Sequence, residues 1–381
     1  MKQAETTEVR CVGTVLNRSN RNLWRKLEMD AYRDDPFHVI RRPPKGKKGG
    51  KAEFFFLYSG RQPVARAAVY VGEGWLAHEK KERAGFICDF VILPDKRHLA
   101  GTLIDHCLSV LRNKGAEGVL VKCNNFPALA AHEFKDLLPI GLPTNPPWHI
   151  DLFEQRGFVK EQEWLNFRID LPSVTLQSRL AKWESALAGQ NITVKKLNGR
   201  SRKELKRYAD AASEIMGEHY GYTPSNFMDT YSFFKFLAFG IITRIGRFRI
   251  YVMYDEDNEI VGFWSYHPDY SIAQLGLNKY MGKKWYAPVG LMAFPEFIRN
   301  IRRTKRATIG SMGLREGWRR KGLARAVDYA FKCTLQEGYK QVDTGSMLVD
   351  NAVVVKMAET FTRRYGTTLQ RMTYYTLEYR F

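Results

Sequence analysis

GLREGWRRKGLARAVDYAF, residues 313–331, carries five basic residues and three glycines where an apolar helical pattern starts. Apolar residues from Leu323 to Leu335 recur at helical intervals, and Gly338 supplies a stop, so a helix is predicted to begin after Gly322. A helix N-terminus presents unpaired backbone N–H groups and the positive end of the helix dipole, and glycine lets a phosphate approach the backbone. The stretch therefore predicts a phosphate-binding turn.

Neither of the two common phosphate-binding loops matches this spacing. A nucleotide P-loop has Lys and then Ser or Thr after its last glycine, whereas Gly322 is followed by Leu323 and Ala324. A dinucleotide-binding fingerprint needs glycines closer together than Gly313, Gly317 and Gly322 are. Both kinds of nucleotide site are excluded here.

The run Arg319-Arg320-Lys321-Gly322-Leu323-Ala324 resembles the Arg/Gln-x-x-Gly-x-Gly/Ala turn of the GNAT superfamily of acyl-CoA-dependent N-acyltransferases. The resemblance implies that backbone amides of this turn hold the pyrophosphate of coenzyme A. The surrounding order also resembles the family, with a strand predicted at 307–314, another at 341–345, Asp350 as a helix N-cap and Asn351 at the family's Asn position. The implied donor-binding residues are Met312, Gly313, Leu314, Arg319, Arg320, Lys321, Gly322, Leu323, Ala324 and Asn351.

A second copy of this order lies in the first half of the chain. The stretch LPDKRHLAGTLIDHCLSVLRNKGAEGVLVK follows a strand-like GFICDFVI and begins at Leu93. Its turn, helical pattern and following strand repeat the order around residues 313–331, and aligning Gly101 with Gly322 also aligns Leu93 with Leu314. The chain is therefore similar to a tandem GNAT protein over nearly all of its length.

The end of the first half supports the same resemblance. In WHIDLFEQRGFVK, Phe153, Gly157 and Phe158 occupy the aromatic-x-x-x-Gly-Phe positions at which the family's closing helix usually ends. The resemblance implies an α/β fold of two tandem GNAT-like acyl-CoA N-acyltransferase domains, each a mixed, twisted sheet flanked by helices.

The first copy is predicted to be degenerate and mainly structural. In this alignment it has His98 where the second copy has Arg319, and bulky Leu103 where the second copy has Ala324. A long side chain where the cofactor approaches the backbone disfavours coenzyme A binding. The long loop at 126–148 is of the kind that covers active sites, and it is a candidate for shaping the acceptor site.

The predicted domain boundary falls between the two copies. Pro172 breaks the preceding strand, and apolar residues from Leu176 to Leu187 predict a short amphipathic helix. The predicted ranges are a degenerate GNAT-like domain at 8–171, a linker helix at 172–190 and an acyl-donor-binding GNAT domain at 191–381. The Pro-, Gly- and Lys-rich run at 41–51 is interpreted either as a solvated surface loop or as a basic arm that contacts a partner.

Composition limits the classes of function. The chain has 381 residues, 44% of them hydrophobic, and a formal net charge of +20, which favours acidic partners such as phosphorylated cofactors, carrier proteins or nucleic acid. Its five cysteines are scattered without metal-ligand spacing, so reduced thiols and no metal are expected. The N-terminus lacks a signal-peptide core and no apolar run is long enough to span a bilayer, so a cytoplasmic protein without a membrane span is predicted.

The resemblance implies direct attack of an amine on the thioester of the donor. Backbone N–H groups near the strand before the turn polarise the thioester carbonyl, and a protein group accepts the proton of the amine. Many family members place a Tyr general acid at positions that hold Thr362 and Ala358 here, and the nearest tyrosine is Tyr365. The general acid is therefore left unassigned.

Three residues are candidates for the catalytic group that accepts the proton. Glu218 and His219 lie in GEHYGYTP, in the region that lines the acceptor pocket in the family, and His267 ends the strand-like IVGFWSYH. Each of these polar residues also has ordinary structural uses, so the base is left open among them.

The predicted function is transfer of an acyl group from acyl-CoA to an amine of a small molecule or peptide. The phosphopantetheine arm of an acyl carrier protein has the same reactive end as coenzyme A, and the basic run RNIRRTKR at 299–306 is a candidate docking site for an acidic carrier. One alternative is an aminoacyl-tRNA-dependent transferase similar to the Fem-type tandem GNAT enzymes, because the net charge also favours tRNA. The other alternative is a non-catalytic acyl-CoA-binding module.

Overall fold

The computed structural model describes residues 6–36, 38, 52–76, 80–123, 126–131, 136, 138–139, 142–171, 185, 187–198, 201–216, 248–276 and 286–381. These residues form two compact units. Unit 1 holds the described residues up to Leu165 together with Thr373–Phe381, and unit 2 holds the described residues from Asn166 to Met372.

Unit 1 is a mixed sheet with helices packed on both faces. In chain order its elements are β1 (Thr7–Cys11), α1 (Arg18–Ala31), β2 (Glu53–Ser59), β3 (Gln62–Leu76), β4 (Lys80–Ile92), a 3-10 turn (Pro94–Leu99), α2 (Ala100–Asn113), β5 (Gly118–Lys122), β6 (Leu129–Ala130), α3 (Trp148–Glu154) and the first part of β7 (Val159–Asp170). Strands β1 to β4 are antiparallel neighbours in that order, and β5 pairs with β4 in parallel.

The helices of unit 1 each bury an apolar face against its sheet. Apolar residues recur on one face of α2, so that Leu103 and Leu111 are fully buried against the sheet. The helix ends before Gly115, whose φ of +75° is the left-handed conformation that glycine adopts readily. On the opposite face of the sheet, Trp24 of α1 packs edge-on against Phe54 with 5.4 Å between ring centroids.

Unit 2 also combines antiparallel and parallel strands with helices. Its elements are the end of β7, β8 (Thr193–Lys196), α4 (Arg202–Met216), β9 (Arg249–Tyr254), β10 (Ile260–Pro268), α5 (Tyr270–Leu275), α6 (Tyr286–Arg303), β11 (Arg306–Leu314), α7 (Glu316–Gln336), β12 (Gln341–Asp343), β13 (Met347–Leu348), α8 (Ala352–Tyr365) and the start of β14 (Leu369–Arg380). Strands β8 to β11 are antiparallel neighbours, and β12 pairs with β11 in parallel. No helix in the described part of the chain combines the length and the apolarity needed to span a membrane.

Helices α4 and α7 cover opposite faces of the sheet of unit 2. Tyr208 of α4 contacts Phe263 of β10 with 5.4 Å between ring centroids, whereas Tyr329 of α7 contacts the next residue, Trp264, at the same distance. Because successive residues of a strand point to opposite faces, these two contacts assign the alternate residues of β10 to the α4 face and the α7 face.

The final strand of each half of the sequence contributes to the unit built mainly from the other half. Residues 168–170 of β7 pair antiparallel with residues 341–343 of β12 in unit 2. Residues 378–380 of β14 pair antiparallel with residues 118–120 of β5 in unit 1. The compact units therefore differ from the residue ranges predicted for the two domains. Independent folding of those predicted ranges stays a prediction.

The predicted α/β fold class and the order of elements around both turns are confirmed. The order β4, α2, β5 in the first half matches the order β11, α7, β12 in the second. The closing helix is α3, with Phe153 and Phe158 buried and Gly157 at a φ of +87°. The stop predicted at Gly338 is also present, since α7 ends at Gln336 and Gly338 has a φ of +86°.

The structure shifts the alignment of the two copies by one residue. The N–H of Leu93 donates to the carbonyl of Val64, and the N–H of Arg315 donates to the carbonyl of Val261, both at 2.9 Å. Each donor is the extended residue directly before a helical turn. Leu93 therefore corresponds to Arg315, and its alignment with Leu314 is wrong, because glycine spacing alone does not fix a register.

The corrected alignment changes which side chains are compared in the two turns. Arg97 now corresponds to Arg319, and Ala100 corresponds to Gly322. His98 therefore no longer stands at the position of Arg319. The turn of unit 1 departs from the family pattern mainly at Ala100, which replaces the glycine.

Leu103 does not block a ligand site in unit 1, so that prediction is wrong. The periodicity of α2 directs Leu103 into the hydrophobic core, where it is fully buried. A different side chain occupies the space beside the turn. A Cβ atom built on Gly101 would lie 1.6 Å from Nη2 of Arg156, whose Nε lies 3.6 Å from Oδ1 of Asp105. This guanidinium, rather than Leu103, fills the position next to the start of α2.

Several predicted features lie outside the described residues. They are the basic loop at 41–51, nearly all of the linker helix at 172–190, and the candidate catalytic residues Glu218 and His219. The loop at 126–148 is described in part.

Candidate active site

The sheet of unit 2 opens into a wedge between β11 and β12. Residues 306–308 of β11 pair with residues 341–343 of β12, but β11 continues to Leu314 in register with β10 alone. After β12 the N–H of Thr344 donates to the carbonyl of Phe167 at 2.8 Å, so the chain turns toward β7. Past Thr308, the edge of β11 that faces β12 therefore extends beyond the parallel pairing. The opening along this edge is called the wedge.

A β-bulge bends β11 at the mouth of the wedge. Trp264 lies opposite Met312 and Tyr266 lies opposite Ile309, so two residues of β11, Gly310 and Ser311, face the single residue Ser265. The N–H of Ser311 donates to Oγ of Ser265 at 3.0 Å. A bulge of this kind re-aims the strand and its polar groups, which turns β11 away from β12.

Backbone N–H groups of β11 point into the wedge. The N–H of Arg315 donates to the carbonyl of Val261 on β10. Because successive N–H groups of a strand point to opposite edges, those of Met312 and Leu314 point away from β10. The parallel pairing of β11 with β12 ends at Thr308, so these two N–H groups lie outside it. They are the donors that a carbonyl in the wedge would meet.

Gly313 has a packing role that was not predicted. A Cβ atom built on Gly313 would lie 2.7 Å from Cγ2 of Ile215 and 3.1 Å from Cε1 of Phe263. Glycine at this position lets the end of α4 pack closely against β11. A part in donor binding stays a prediction for Gly313.

The helix after the wedge begins earlier than predicted. It starts at Glu316, six residues before Gly322, because Arg315 takes the extended N-cap conformation and its carbonyl accepts from the N–H groups of Trp318 and Arg319. The expectation that the helix begins after Gly322 is therefore wrong. The unpaired N–H groups of the helix N-terminus belong to Glu316 and its neighbour Gly317, while residues 319–324 lie inside the first turns of α7.

Arg319 links the end of β11 to the end of α4. Its Nε donates to the carbonyl of Leu314 at 3.0 Å, and Nη2 donates to the carbonyl of Ile215 at 3.4 Å. Arg315 supports the same junction through an ion pair with Glu214 at 2.9 Å. Arg315 and Arg319 thus bring positive charge to the start of α7, and Arg319 also has a structural role.

His267 lies on the α4 face of β10, two residues beyond Ser265. Its Nδ1 lies 2.7 Å from the carbonyl oxygen of Pro268, and since a carbonyl only accepts, Nδ1 carries the proton and Nε2 is the basic nitrogen. The ring stacks on Phe248 at 5.7 Å and on Tyr270 at 4.9 Å. Burial lowers the pKa of His267, which keeps the imidazole neutral at pH 7.

A polar row crosses four strands at the base of the wedge. His267 lies opposite Thr308, Thr308 opposite Asp343, and Asp343 opposite Arg168, all on one face of the sheet. Among the described residues the buried Thr308 hydroxyl has no hydrogen-bond partner. Asp343 also lies 3.4 Å from Nε of Arg306. Sequence reasoning missed this row, although the alternation of polar and apolar residues in RATI at 306–309 was a usable signal.

Asp343 is the buried centre of that row. Burial raises the pKa of its carboxyl to about 6, although the guanidinium groups of Arg168 and Arg306 favour the ionised form. Arg306 also donates from Nε to Oδ2 of Asp269 at 2.7 Å. Two arginines and two aspartates therefore compensate one another in the interior.

The expectation that Asp350 caps the last helix is wrong. Helix α8 begins at Ala352, and the N–H of Val355 donates to the carbonyl of Asn351 at 3.1 Å, so Asn351 occupies the cap position. Thr362 and Ala358, at the positions where many family members have a tyrosine, are both buried. A part for Asn351 in donor binding stays a prediction.

The basic run at 299–306 lies at the other end of β11 from the donor turn. It closes α6 and opens β11, so its last residue is about 26 Å along the strand from Leu314. Arg306 itself is buried in the polar row. The run is therefore not beside the start of α7, and its part in docking a carrier protein stays a prediction.

No protein-family model matches the sequence, and no curated protein sequence matches it. Solved structures match nearly the whole chain. A tandem GNAT protein from the clavulanic acid biosynthesis pathway is 12% identical, with a TM-score of 0.53 and 98% of each chain covered. A GCN5-related N-acetyltransferase from Sphaerobacter thermophilus is 13% identical, with a TM-score of 0.52, and the match covers 98% of this chain and 95% of that one.

A third solved structure is a fungal multi-domain β-N-acetylglucosaminidase, described as having a GCN5-related glucosamine N-acetyltransferase region. It is 14% identical with a TM-score of 0.58, and the match covers 99% of this chain and 38% of that chain. These likenesses, at low sequence identity, show that the chain has the tandem GNAT fold.

Proposed function

We propose that the protein is an N-acyltransferase that moves an acyl group from acyl-CoA to the amine of a small molecule or peptide. The observation that carries this proposal is the wedge of unit 2, which opens beside the N–H groups of Met312 and Leu314 and leads to the N-terminus of α7. A thioester carbonyl needs hydrogen-bond donors fixed in place, and a pyrophosphate favours a helix N-terminus. One extended acyl-CoA molecule meets both requirements.

In this proposal the pyrophosphate of the donor binds at the start of α7. The N–H groups of Glu316 and Gly317 are free for an anion there, and the motif beginning at Arg319 adds three positive charges within the next turn. Each charge-assisted phosphate contact stabilises a complex by roughly 1.5–3 kcal/mol. Direct contacts by Leu323, Ala324 and Asn351 rest on the family resemblance.

In this proposal the acceptor amine lies on the α4 face of the sheet, toward the base of the wedge. There the neutral His267 has a basic Nε2 that is suited to accept the proton of the amine, directly or through water. The amine nitrogen attacks the thioester carbonyl, a C–N bond forms and the C–S bond breaks. The leaving thiolate takes a proton and departs as coenzyme A. Glu218 and His219 are the competing candidates for the base.

A second candidate function is supported by the net charge of +20 alone. An aminoacyl-tRNA-dependent transferase would bind tRNA through its phosphates, and that affinity would fall steeply with salt. A filter-binding titration of tRNA at two salt concentrations separates this candidate from an acyl-CoA enzyme.

Native mass spectrometry of the full chain tests the proposal. The protein is incubated in parallel with acetyl-CoA, octanoyl-CoA, palmitoyl-CoA and an acylated carrier protein, and bound donor is read from the mass. One tightly held acyl-CoA, followed by release of coenzyme A when a mixture of amines is added, supports the N-acyltransferase. Binding without release under any amine favours the non-catalytic acyl-CoA-binding module. Submicromolar tRNA affinity without acyl-CoA binding favours the tRNA-dependent enzyme.

A further inference from the structure

Unit 1 has its own wedge between parallel strands. The register of β4 with β5 ends where Cys88 lies opposite Lys122, while β4 continues to Ile92 in register with β3. A bulge follows at once, since Asp89 has a φ of +52° and the register of β3 with β4 shifts at this point. The geometry repeats that of β11 and β12.

Counting along the paired strands identifies what fills this wedge. Ala84 pairs with Gly118 in unit 1 as Arg306 pairs with Gln341 in unit 2, so four residues further on Cys88 and Lys122 correspond to Gly310 and Gly345. In unit 2 these two glycines meet closely, since a Cβ atom on Gly345 would lie 3.0 Å from the carbonyl oxygen of Gly310. In unit 1 two side chains stand there instead, and one of them is an amine.

The amine of Lys122 is held by aromatic neighbours. Its Nζ donates to the hydroxyl of Tyr70 at 3.0 Å and lies 3.9 Å from the ring centroid of Phe86. Those two rings stack with 4.7 Å between centroids. By the same count Tyr70, which pairs with Phe86, corresponds to His267, which pairs with Thr308. Lys122 is half-buried, and these contacts hold its amine at the wedge.

The protonation states around Lys122 favour the amine over the thiol as a nucleophile. Burial lowers the pKa of Lys122, which increases the fraction of neutral amine at pH 7. Burial raises the pKa of the Cys88 thiol, which keeps that neighbour protonated and unreactive.

We propose that Lys122 is an acyl-accepting amine, so that unit 1 carries a self-acylation site for acyl thioesters. The lone pair of Nζ attacks the thioester carbonyl, a C–N bond forms and the C–S bond breaks. The proton lost from the amine goes to the leaving thiolate, which departs as a thiol, and the lysine becomes a neutral amide. The reaction needs only the thioester and Lys122, and it does not depend on donor binding in unit 2.

Peptide mapping of the full-length protein incubated with acetyl-CoA tests the proposal. Lys26 and Lys160, both in surface ion pairs, are the reference amines. We expect Lys122 to be acetylated at least about tenfold faster than either, with a rate that levels off at a lower pH, because its amine is neutral at lower pH. Acetylation of Lys122 at the reference rate, or no acetylation there while the references react, overturns the proposal.

Two variants complete the design. Lys122→Arg keeps the positive charge beside Phe86, and it should remain folded by thermal melting while the rapid acetylation is lost. Gly322→Val, aimed at donor binding in unit 2, should leave the acetylation of Lys122 unchanged. Loss of that acetylation in Gly322→Val would contradict a site that works independently in unit 1. The result of this experiment is also independent of the proposed function, because it measures acetylation of Lys122 and not acyl transfer to a free amine.

Discussion

Asp343 accepts hydrogen bonds from Nε and Nη2 of Arg168, the residue opposite it on the neighbouring strand, at 2.8 and 3.2 Å. Both side chains are almost completely buried, and Arg306 approaches the same carboxylate. This cluster joins β7, β12 and β11 where their pairing ends, so it fixes the closed end of the wedge.

Replacing Asp343 with Asn should destabilise the protein by about 3–5 kcal/mol, because two buried guanidinium groups lose their compensating charge. Urea unfolding of the variant and the wild type measures this difference. Glu8→Gln, which removes the exposed partner of Arg10, is the control and should leave the unfolding midpoint unchanged. An Asp343→Asn variant as stable as that control would show that the cluster does not hold the strands together.

Gly313→Ala should destabilise unit 2 by about 1–3 kcal/mol, since the new Cβ overlaps Ile215 at the packed end of α4. Gly317→Ala is the matched control. A Cβ atom there meets nothing within 4 Å, and alanine favours a helix over glycine by roughly 1 kcal/mol, so this variant should be neutral or more stable. Thermal melts of both variants decide the point, and equal melting temperatures would remove the packing role of Gly313.

The stability of the protein should fall as the pH drops below about 6.5, in part because of His149. Complete burial lowers the pKa of His149 to about 3 in the folded chain, so the unfolded chain takes up the proton first. The contribution is present above the unfolded pKa and is lost on the way down to pH 3, at roughly 1.4 kcal/mol per pH unit. Urea unfolding at pH 7.5, 6 and 5 measures the slope, and His149→Phe should flatten it. An unchanged slope in that variant would assign the effect to other groups.

His267→Ala should lower turnover by about 100-fold or more while donor affinity stays unchanged, since the variant removes a proton acceptor and no donor contact. In the wild type, kcat/KM should fall on the acid side only below the ordinary histidine range, because burial lowers the pKa of His267. Turnover of His267→Ala is compared with that of the double variant Glu218→Gln, His219→Ala. Both are assayed by coenzyme A release with an amine that supports turnover. Near-normal turnover in His267→Ala, with a large loss in the double variant, would move the base to that segment.

The order of elements in each half could be predicted because its signals are local. Apolar residues of α2 recur at helical spacing, and Gly115 and Gly338 mark helix ends through positive φ angles. The predicted register between the copies is wrong by one residue, because it depends on aligning Gly101 with Gly322, and glycine fits several backbone positions. Hydrogen bonds from Leu93 and Arg315 were needed to correct it.

The exchange of final strands and the buried charges of the active site could not be predicted from local patterns. Arg168 meets Asp343 across a sequence separation of 175 residues, and nothing near either residue specifies that pairing. The start of α7 also differs from the prediction, because the six residues between Arg315 and Gly322 contain no proline and form helix once Arg315 acts as the cap.

The central claim is that coenzyme A binds at the donor turn of unit 2, and a calorimetric titration of the full-length protein with coenzyme A tests it most directly. Gly322→Val should weaken binding by at least about tenfold, whereas Gly101→Val, beside a turn already filled by Arg156, should change it by less than about twofold. Thermal melts first establish that both variants are folded. Equal weakening by the two substitutions, or no binding by the wild-type protein, would contradict the account.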